Sequence, residues 1–387
     1  MDIVVGTHAL GLGGSETYAI ALADHLQRLG HRVVLCAAGI GRGEELARAC
    51  GVEVVTLERY RGSSCDRIVA QDGATALALA ERHPRAPLTF VAHSEEFDPQ
   101  LPPQLAKLTA AVIVLNGRVE KRIRALAADL PIVRLTQPID VSRFRPRTPL
   151  AETPRRLLVF GNNLRGRRLD LVVAAADRAG LEIVRAGTLG GETATPELLF
   201  DDVDIVMGYG RCVLEGMACG RPAYVYDHLG GDGWVTADSY PRLEEDGFGG
   251  RALSGALDPE RIAEDLGRYR LEMGIVNRDL VVRHHRAEHH AQQVVEVLAG
   301  LGEPGERRPD ALSELARLVR GQWATRARAD ELEARIGSLS AQLADERGAH
   351  AALRRVHEET VDSLRHRVGM ALARPLDAAR EWRDRRR

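Results

Sequence analysis

Short runs of β-branched and other apolar residues alternate with amphipathic stretches over the first 140 residues of the chain. The runs predict strands at Asp2–Gly6, Arg32–Ala37, Arg67–Ala70, Leu88–Ala92, Ala111–Leu115 and Ile132–Leu135. They are nearly continuous in apolar character, as a parallel sheet covered on both faces requires. Between the first two runs, Tyr18, Leu22, Leu26 and Leu29 share one helical face, with Ser15 placed to cap the start and Gly30 just past the end.

Pro146, Pro149 and Pro154 mark residues 141–156 as a linker. A second block follows, with strands near Leu157–Gly161, Leu181–Ala186, Val203–Met207 and Ala223–Tyr226, closing on a long helical stretch from about Arg278 to Leu298. The pattern is α/β: two Rossmann-like domains, 1–140 and 157–300, facing a cleft between the carboxyl ends of their sheets, where such folds take ligands. After Gly302-Glu303-Pro304-Gly305 the chain changes character, and residues 306–387 are rich in Ala, Arg, Glu and Leu. Ala311, Leu315, Leu318, Ala329, Leu332, Ile336, Leu339, Leu343, Leu353 and Leu364 follow one alternating 3/4 seam, interrupted by polar Gln322, Thr325, Glu346, His350 and His357. That seam predicts a helical, coiled-coil tail that joins copies of the chain; a long helix packing back onto the body is the alternative.

Composition narrows the classes. The 387 residues exceed one compact core, and 44% hydrophobic with 28% charged residues is a globular balance. A net charge of −2 argues against wholesale nucleic-acid binding, and 4% aromatics leave little for base-stacking platforms. Only Lys107 and Lys121 are lysines among 53 basic residues, so abundant arginine is a compositional bias and carries little functional weight. The five cysteines, Cys36, Cys50, Cys65, Cys212 and Cys219, form no Cys-x-x-Cys pair and read as reduced thiols. The start of the chain has no basic n-region and no stretch is apolar enough to span a membrane, which predicts a cytoplasmic protein. The tail holds 18 arginines against 14 acidic residues, and its basic end is the one place for peripheral contact with the inner face of a membrane.

Two regions carry chemistry. Gly11-Leu12-Gly13-Gly14-Ser15-Glu16 runs from the first strand into a helix, where backbone N–H groups and the helix amino terminus favour an anion. The spacing lacks the Gly-x-Gly-x-x-Gly phasing of a dinucleotide site. Neither domain contains Gly-x-Ser-x-Gly or a P-loop, so hydrolase and P-loop readings fail. The second region is Met207-Gly-Tyr-Gly-Arg-Cys-Val-Leu-Glu-Gly-Met-Ala-Cys-Gly-Arg-Pro222. Its Gly208-Tyr209-Gly210 turn, Glu215, and Met217-Ala218-Cys219-Gly220-Arg221-Pro222 run resemble the retaining, nucleotide-sugar-dependent glycosyltransferases of the GT-B fold, specifically the family 4-type group. Gly13-Gly14-Ser15-Glu16 is similar to that family's first glycine loop. Gln137-Pro138-Ile139-Asp140 with Arg143-Phe144-Arg145-Pro146 is similar to its interdomain turn. The resemblance covers about residues 1–300.

The resemblance implies a glycosyltransferase that moves a sugar from a nucleoside diphosphate donor to a glycan or lipid-linked acceptor, with retention, without a metal and with no cofactor. It places Glu215 on the donor's ribose, Arg165 and Arg167 on the diphosphate, Gly13 and Gly14 at the cleft, and His93 near the reaction centre. Tyr209, Gly210 and the Gly230-Gly231 pair belong to the same donor side. Fixed cations and helix-terminal amides aimed at a departing diphosphate stabilise the transition state on physical grounds alone. For His93 a structural role stands beside the functional one, and for Glu215 a surface carboxylate.

Two positions depart from the family pattern. Met207 stands where it has an acidic residue on the donor sugar, and Asn162 where it has an arginine. Methionine cannot accept hydrogen bonds as a carboxylate does, so the sugar is held otherwise, by Asp232 or Tyr209, or catalysis is lost. A catalytically degenerate binding or scaffold protein displaying a self-associating tail is the rival reading. A nucleotide-sugar epimerase is a third. His284, His285, His289 and His290 cluster on what reads as one helix, and the i, i+4 pair His285–His289 offers metal spacing without a third ligand.

Overall fold

The computed structural model describes the chain apart from residues 63, 104, 106–107, 128, 162–163, 165, 188–192, 194, 228–229, 254–258, 303–308 and 386–387, and apart from the side chains of 227, 309–311, 314, 373–379, 381–382 and 384. By its internal contacts the chain divides into two compact units, Met1–Arg320 and Gly321–Arg387.

The first unit holds two sheets. One contains β1 (Asp2–Leu10), β2 (Arg32–Ile40), β3 (Glu53–Thr56), β4 (Arg67–Ala70), β5 (Leu88–Ala92), β6 (Ala111–Val114) and β7 (Ile132–Arg134), in the order β3-β2-β1-β4-β5-β6-β7. Its pairings are parallel, as the continuous apolar runs require. Helices α1 (Gly14–Arg28), α2 (Gly43–Ala49), α3 (Gly73–Arg82) and α4 (Gly117–Leu126) connect its strands. The other contains β8 (Arg156–Phe160), β9 (Glu182–Ala186), β10 (Ile205–Gly208), β11 (Ala223–Asp227) and β12 (Gly230–Trp234), ordered β12-β11-β10-β8-β9. Here β12 runs antiparallel to β11. The second half also carries α5 (Arg167–Ala179), α6 (Pro196–Leu199), α7 (Arg211–Ala218), α8 (Tyr240–Glu245), α9 (Pro259–Leu266), α10 (Glu272–His284) and α11 (Ala287–Ala299) in sequence.

Strand order reverses between β1 and β4 in the first sheet and between β8 and β10 in the second. The loops leaving β1, β8 and β10 therefore stand at topological switch points, where α/β sheets open a crevice. The glycine loop after β1 and the Gly208-Tyr209-Gly210 turn after β10 are two of them.

Several local expectations need correction. Ser15 lies inside α1; the cap position is Gly13, with no side-chain cap, and the Ser15 hydroxyl donates to Glu16 instead. Leu29 is 39% exposed, because α1 ends at Arg28 and Leu29 turns away from the core. The helical stretch from Arg278 to Leu298 is two helices, broken at His285-Arg286, where Arg286 is extended and forms a parallel bridge with Ile139. Ile139 N–H donates to the His285 carbonyl at 2.7 Å, and Ala287 N–H donates to the Ile139 carbonyl at 3.0 Å. Backbone pairing to the segment after β7 thus outweighs helix propagation for two residues. Beyond that break α11 leaves the second half and packs on α1, with Ala291, Val294 and Leu298 buried beside Ile20, Leu22 and Leu26. The helix read as the close of the second block completes the core of the first.

Helix α12 runs from Pro309 to Asp384. Its opening turns belong to the first unit: Leu312 and Ala316 are buried beside Leu77 and Leu101, with Leu315 and Val319 packed at the edge. Leu315 thus anchors the helix to the body and does not continue the seam, while Ala311 lies outside the described side chains. The second unit is helix from Gly321 through Asp384. Among the described residues no helix is long and apolar enough to cross a membrane.

Candidate functional site

A cleft of about 520 Å³ opens between the two sheets of the first unit. The residues that follow β1, β5, β6, β8, β9 and β10 all reach it: Leu12–Ser15, His93, Leu115, Gly161, Gly187 and Tyr209–Cys212. Of the residues expected at a site, Gly13, Gly14, His93, Tyr209, Gly210 and Glu215 line this one space. Arg167 begins α5, is exposed and is not part of the lining. Arg165 and Asn162 fall outside the described residues.

Gly230 and Gly231, read as a loop, are instead the start of β12 and do not line the cleft. A Cβ on Gly230 would sit 2.5 Å from the Gly250 carbonyl, so glycine is required there by a neighbouring backbone. Asp232 is likewise committed to structure, accepting from Ala252 N–H at 3.2 Å and Leu253 N–H at 2.7 Å.

Two glycines build the turn into α7. A Cβ on Gly208 would meet the Phe160 carbonyl at 2.3 Å, so only glycine lets β10 close on β8 at its end. Gly210 then takes φ +61°, ψ −133°, reversing the chain into the helix. Gly210, Arg211 and Cys212 line the cleft, so the first turn of α7 opens on it with its amides unspent within the helix. One turn on, Glu215 is buried at 6% exposure and accepts from Arg211 Nε at 2.8 Å. Burial raises its pKa, and the Arg211 charge opposes the rise. Arg211 also donates to the Pro138 carbonyl at 3.0 Å, tying α7 to the segment after β7.

Met207 faces away from all this. It is 0% exposed and packs with Leu157, Val159, Tyr224 and Tyr226, on the side of the second sheet covered by α5 and α9. An acid at that position in this chain would point into an apolar core.

His93 donates from Nε2 to Gln71 Oε1 at 2.7 Å, since the Gln71 amide nitrogen is itself used as donor to Thr7 and Ser15. Burial, reinforced by the Arg211 charge, pulls its pKa to about 3, so the ring is neutral and Nδ1 carries no proton. Two histidines of the expected cluster are structural. His285 Nδ1 donates to the Gln137 carbonyl at 2.8 Å and its Nε2 accepts from Tyr240 at 2.7 Å. His290 Nδ1 donates to the Thr136 carbonyl at 3.0 Å and its Nε2 accepts from Tyr18 at 2.9 Å. Each is held as one tautomer, and the helix break removes the i, i+4 spacing of His285 and His289.

Among the described residues, the grouping whose ligand atoms converge enough for a cation is Asp24, His25 and Asp140, within 4.8 Å of one another. Arg28 already engages both oxygens of Asp24, at 3.0 and 2.7 Å. Asp140 Oδ1 takes the Ser142 and Arg143 amides at 2.9 and 3.1 Å. The donor set is therefore largely compensated by protein groups.

The cations that line the cleft are not the two the resemblance places on the diphosphate. Arg211 pairs with Glu215, Arg143 with Glu197 at 2.7 Å, and Arg118 with Asp246 at 3.2 Å and Glu95 at 3.4 Å. For Arg211 a signal was present: it follows the glycine turn and stands four residues before Glu215 on one helix face. Arg118 and Arg134, which reaches Glu244 at 2.5 Å, also join the two halves.

No family model matches the chain, and no curated protein matches it in sequence. Solved structures do match its fold. Anabaena HepE in complex with UDP and glucose superposes with a TM-score of 0.57 at 14% identity, over 78% of this chain and 100% of that one. Sucrose-phosphate synthase from Thermosynechococcus elongatus gives 0.51 at 13% identity, over 77% and 98%. A glycosyltransferase from Rickettsia africae gives 0.50 at 11%, over 77% and 97%. The fold is GT-B. The GT-B body lies within the first unit.

Proposed function

We propose that the protein is a glycosyltransferase that moves a sugar from a nucleoside diphosphate donor to a glycan or lipid-linked acceptor, with retention and without a metal. One observation carries the reading: one cleft gathers Gly13, Gly14, His93, Tyr209, Gly210 and Glu215 at the carboxyl ends of the parallel strands of two sheets. That one similar structure, HepE, is known in complex with UDP, with UDP and glucose, and with UDP-glucose supports the donor class.

In this reading the nucleotide lies against the second half. Glu215, a buried carboxylate steadied by Arg211, accepts hydrogen bonds from the ribose hydroxyls. The diphosphate faces the open first turn of α7 and Arg211, which lines the cleft there, with Arg165 as a further cation. Breaking the sugar–phosphate bond leaves positive charge on the sugar and negative charge on the diphosphate, and oriented amides and guanidinium groups stabilise the latter without reorganising. His93, neutral at physiological pH, accepts a hydrogen bond from a sugar hydroxyl and does not act as an acid. The glycine loop after β1 and the first half bind the acceptor.

A second reading rests on its own observation. Met207 is sealed in an apolar core, and Arg118, Arg143 and Arg211 are each ion-paired with a carboxylate. These favour a body that binds a ligand without turning it over and displays a self-associating tail. Calorimetric titration of UDP, GDP and their sugar conjugates into wild type and Glu215→Ala decides between presence and absence of a donor site. Binding of one nucleotide, weakened by about 1–3 kcal/mol in the variant, is the expected result. Absence of binding by folded protein rejects the transferase. Binding without sugar transfer to any acceptor favours the second reading.

A further inference from the structure

We propose that Asp24, His25 and Asp140 bind a divalent transition-metal ion, zinc by their ligand chemistry, at the wall of the cleft. Their ligand atoms lie within 4.8 Å of one another, so some point stands within about 2.8 Å of all three. Sub-ångström closure brings them to zinc–ligand distances of about 2.0–2.2 Å. The compensation of this donor set by protein groups is incomplete at the atoms that count. Asp140 spends Oδ1 on the Ser142 and Arg143 amides and the Ser142 hydroxyl, whereas Oδ2 accepts no hydrogen bond from a described residue. Bidentate Arg28 takes one lone pair of each Asp24 oxygen and leaves the other. His25 is the decisive group. Its side chain is 4% exposed, its Nε2 is buried with no hydrogen-bond partner, and that atom stands 3.9 Å from Asp140 Oδ2. The separation is too long for a direct hydrogen bond, and a buried nitrogen left unpaired costs stability. An ion between the two gives each the partner it lacks.

Charge and ligand type agree. One imidazole and two carboxylates form a set that zinc takes, and the two carboxylates balance its charge. Burial, opposed by Asp140, lowers the pKa of His25, so the ring is neutral near pH 7. Of the guanidinium groups nearby, Arg143 pairs with Glu197, and the Arg28 side chain, 54% exposed, can swing into water as the ion engages Asp24. Asp24 and Asp140 line the cleft, so the position left on a three-liganded ion faces that space and takes water or an oxygen of a bound molecule. Zinc binding here needs no nucleotide, so its failure and that of the donor site are read separately.

The test is calorimetric titration of zinc chloride into the full chain, stripped with a chelator and kept reduced. One ion per chain and a raised melting temperature are expected. His25→Leu and Asp140→Asn are each expected to weaken binding at least about tenfold. Metal-free, both are expected to melt near the wild type. Leucine removes the unpaired nitrogen at similar volume, and asparagine keeps an oxygen for the Ser142 and Arg143 amides. His289→Ala, at an exposed histidine, controls for surface binding and is expected to change nothing. Absence of zinc binding by folded wild type overturns the proposal. Binding undiminished in either folded variant, or lost with His289→Ala, places the ion elsewhere and overturns it as well.

Discussion

Tyr18 donates its phenolic proton to Nε2 of His290, 2.9 Å away and 272 residues on in the chain. The donor side is fixed because His290 Nδ1 must give its own proton to the Thr136 carbonyl. Tyr18 also stands edge-on to His93, with ring centroids 4.9 Å apart, so this one side chain joins α1, α11 and a cleft residue. Tyr18→Phe keeps the ring and leaves a buried nitrogen unpaired. Urea unfolding should show a loss of about 1–3 kcal/mol, and an unchanged midpoint would mean that the bond contributes nothing.

Acid should destabilise the body. Burial holds His285 at about 4, and His290 and His93 at about 3, all below the ordinary value of 6.5. Between those values the unfolded chain binds protons that the folded one refuses, so stability is full above pH 6.5 and falls as pH drops toward 4. Each such histidine contributes up to ~1.4 kcal/mol per pH unit over that range. Asp72, raised to about 6 by burial, acts with the opposite sign. Burial also lowers His8, His25, His31 and His83 and raises Glu215, Asp232 and Glu244, so the depressed histidines outnumber the raised acids and a net loss on acidification is expected, measurable as falling urea midpoints at pH 7.5, 6 and 5. His290→Gln should reduce the slope by about one proton.

Met207→Glu would restore the acidic residue of the family pattern without restoring its use. The carboxyl would enter the cluster of Leu157, Val159, Tyr224 and Tyr226. Thermal unfolding should show a loss of about 3 kcal/mol or more, with no gain in nucleotide affinity by calorimetry. Met207→Leu should cost less than about 1.5 kcal/mol. A stable Met207→Glu protein that binds sugar nucleotides more tightly would show that the side chain can reach the cleft.

Arg211 and Glu215 should behave as a unit. Arg211→Ala leaves a buried carboxylate without its guanidinium, and a destabilisation of about 3–5 kcal/mol is expected. Replacing both, as Arg211→Met with Glu215→Leu, should recover most of that stability, because the desolvation penalty disappears with the charges. Equal melting temperatures for wild type and Arg211→Ala would refute the coupling.

Much of this architecture is legible from apolar runs, since a parallel sheet buried on both faces writes itself as short continuous hydrophobic segments. The two strands missing from that reading have weak signatures. β3 is four half-exposed residues at a sheet edge, and β12 is Gly-Gly-Asp-Gly-Trp, whose composition argues against a strand. β12 forms because β11 offers an edge and Gly250 approaches where only glycine fits. The break at His285-Arg286 is invisible to helical periodicity because its cause, Ile139, lies about 150 residues earlier. At the cleft, Glu215 and the glycine turns are readable from spacing. The orientation of Met207 and the pairing of Arg118 with Asp246 are not, because they depend on which sheet face and which half a side chain meets.

The crossing of α11 back onto α1 sets where the chain can be cut. A fragment ending near residue 140 would contain every strand of the first sheet yet lack Ala291, Val294 and Leu298 of its core and the His290 partner of Tyr18, and it should be recovered as aggregate. Supplying residues 287–299 as a separate peptide, or fusing them behind residue 140 through a flexible spacer, should return it to solution. The amino-terminal half is thus encoded in two places, and a substitution at Val294 or Leu298 will register in the unfolding of a sheet whose last strand ended some 160 residues before.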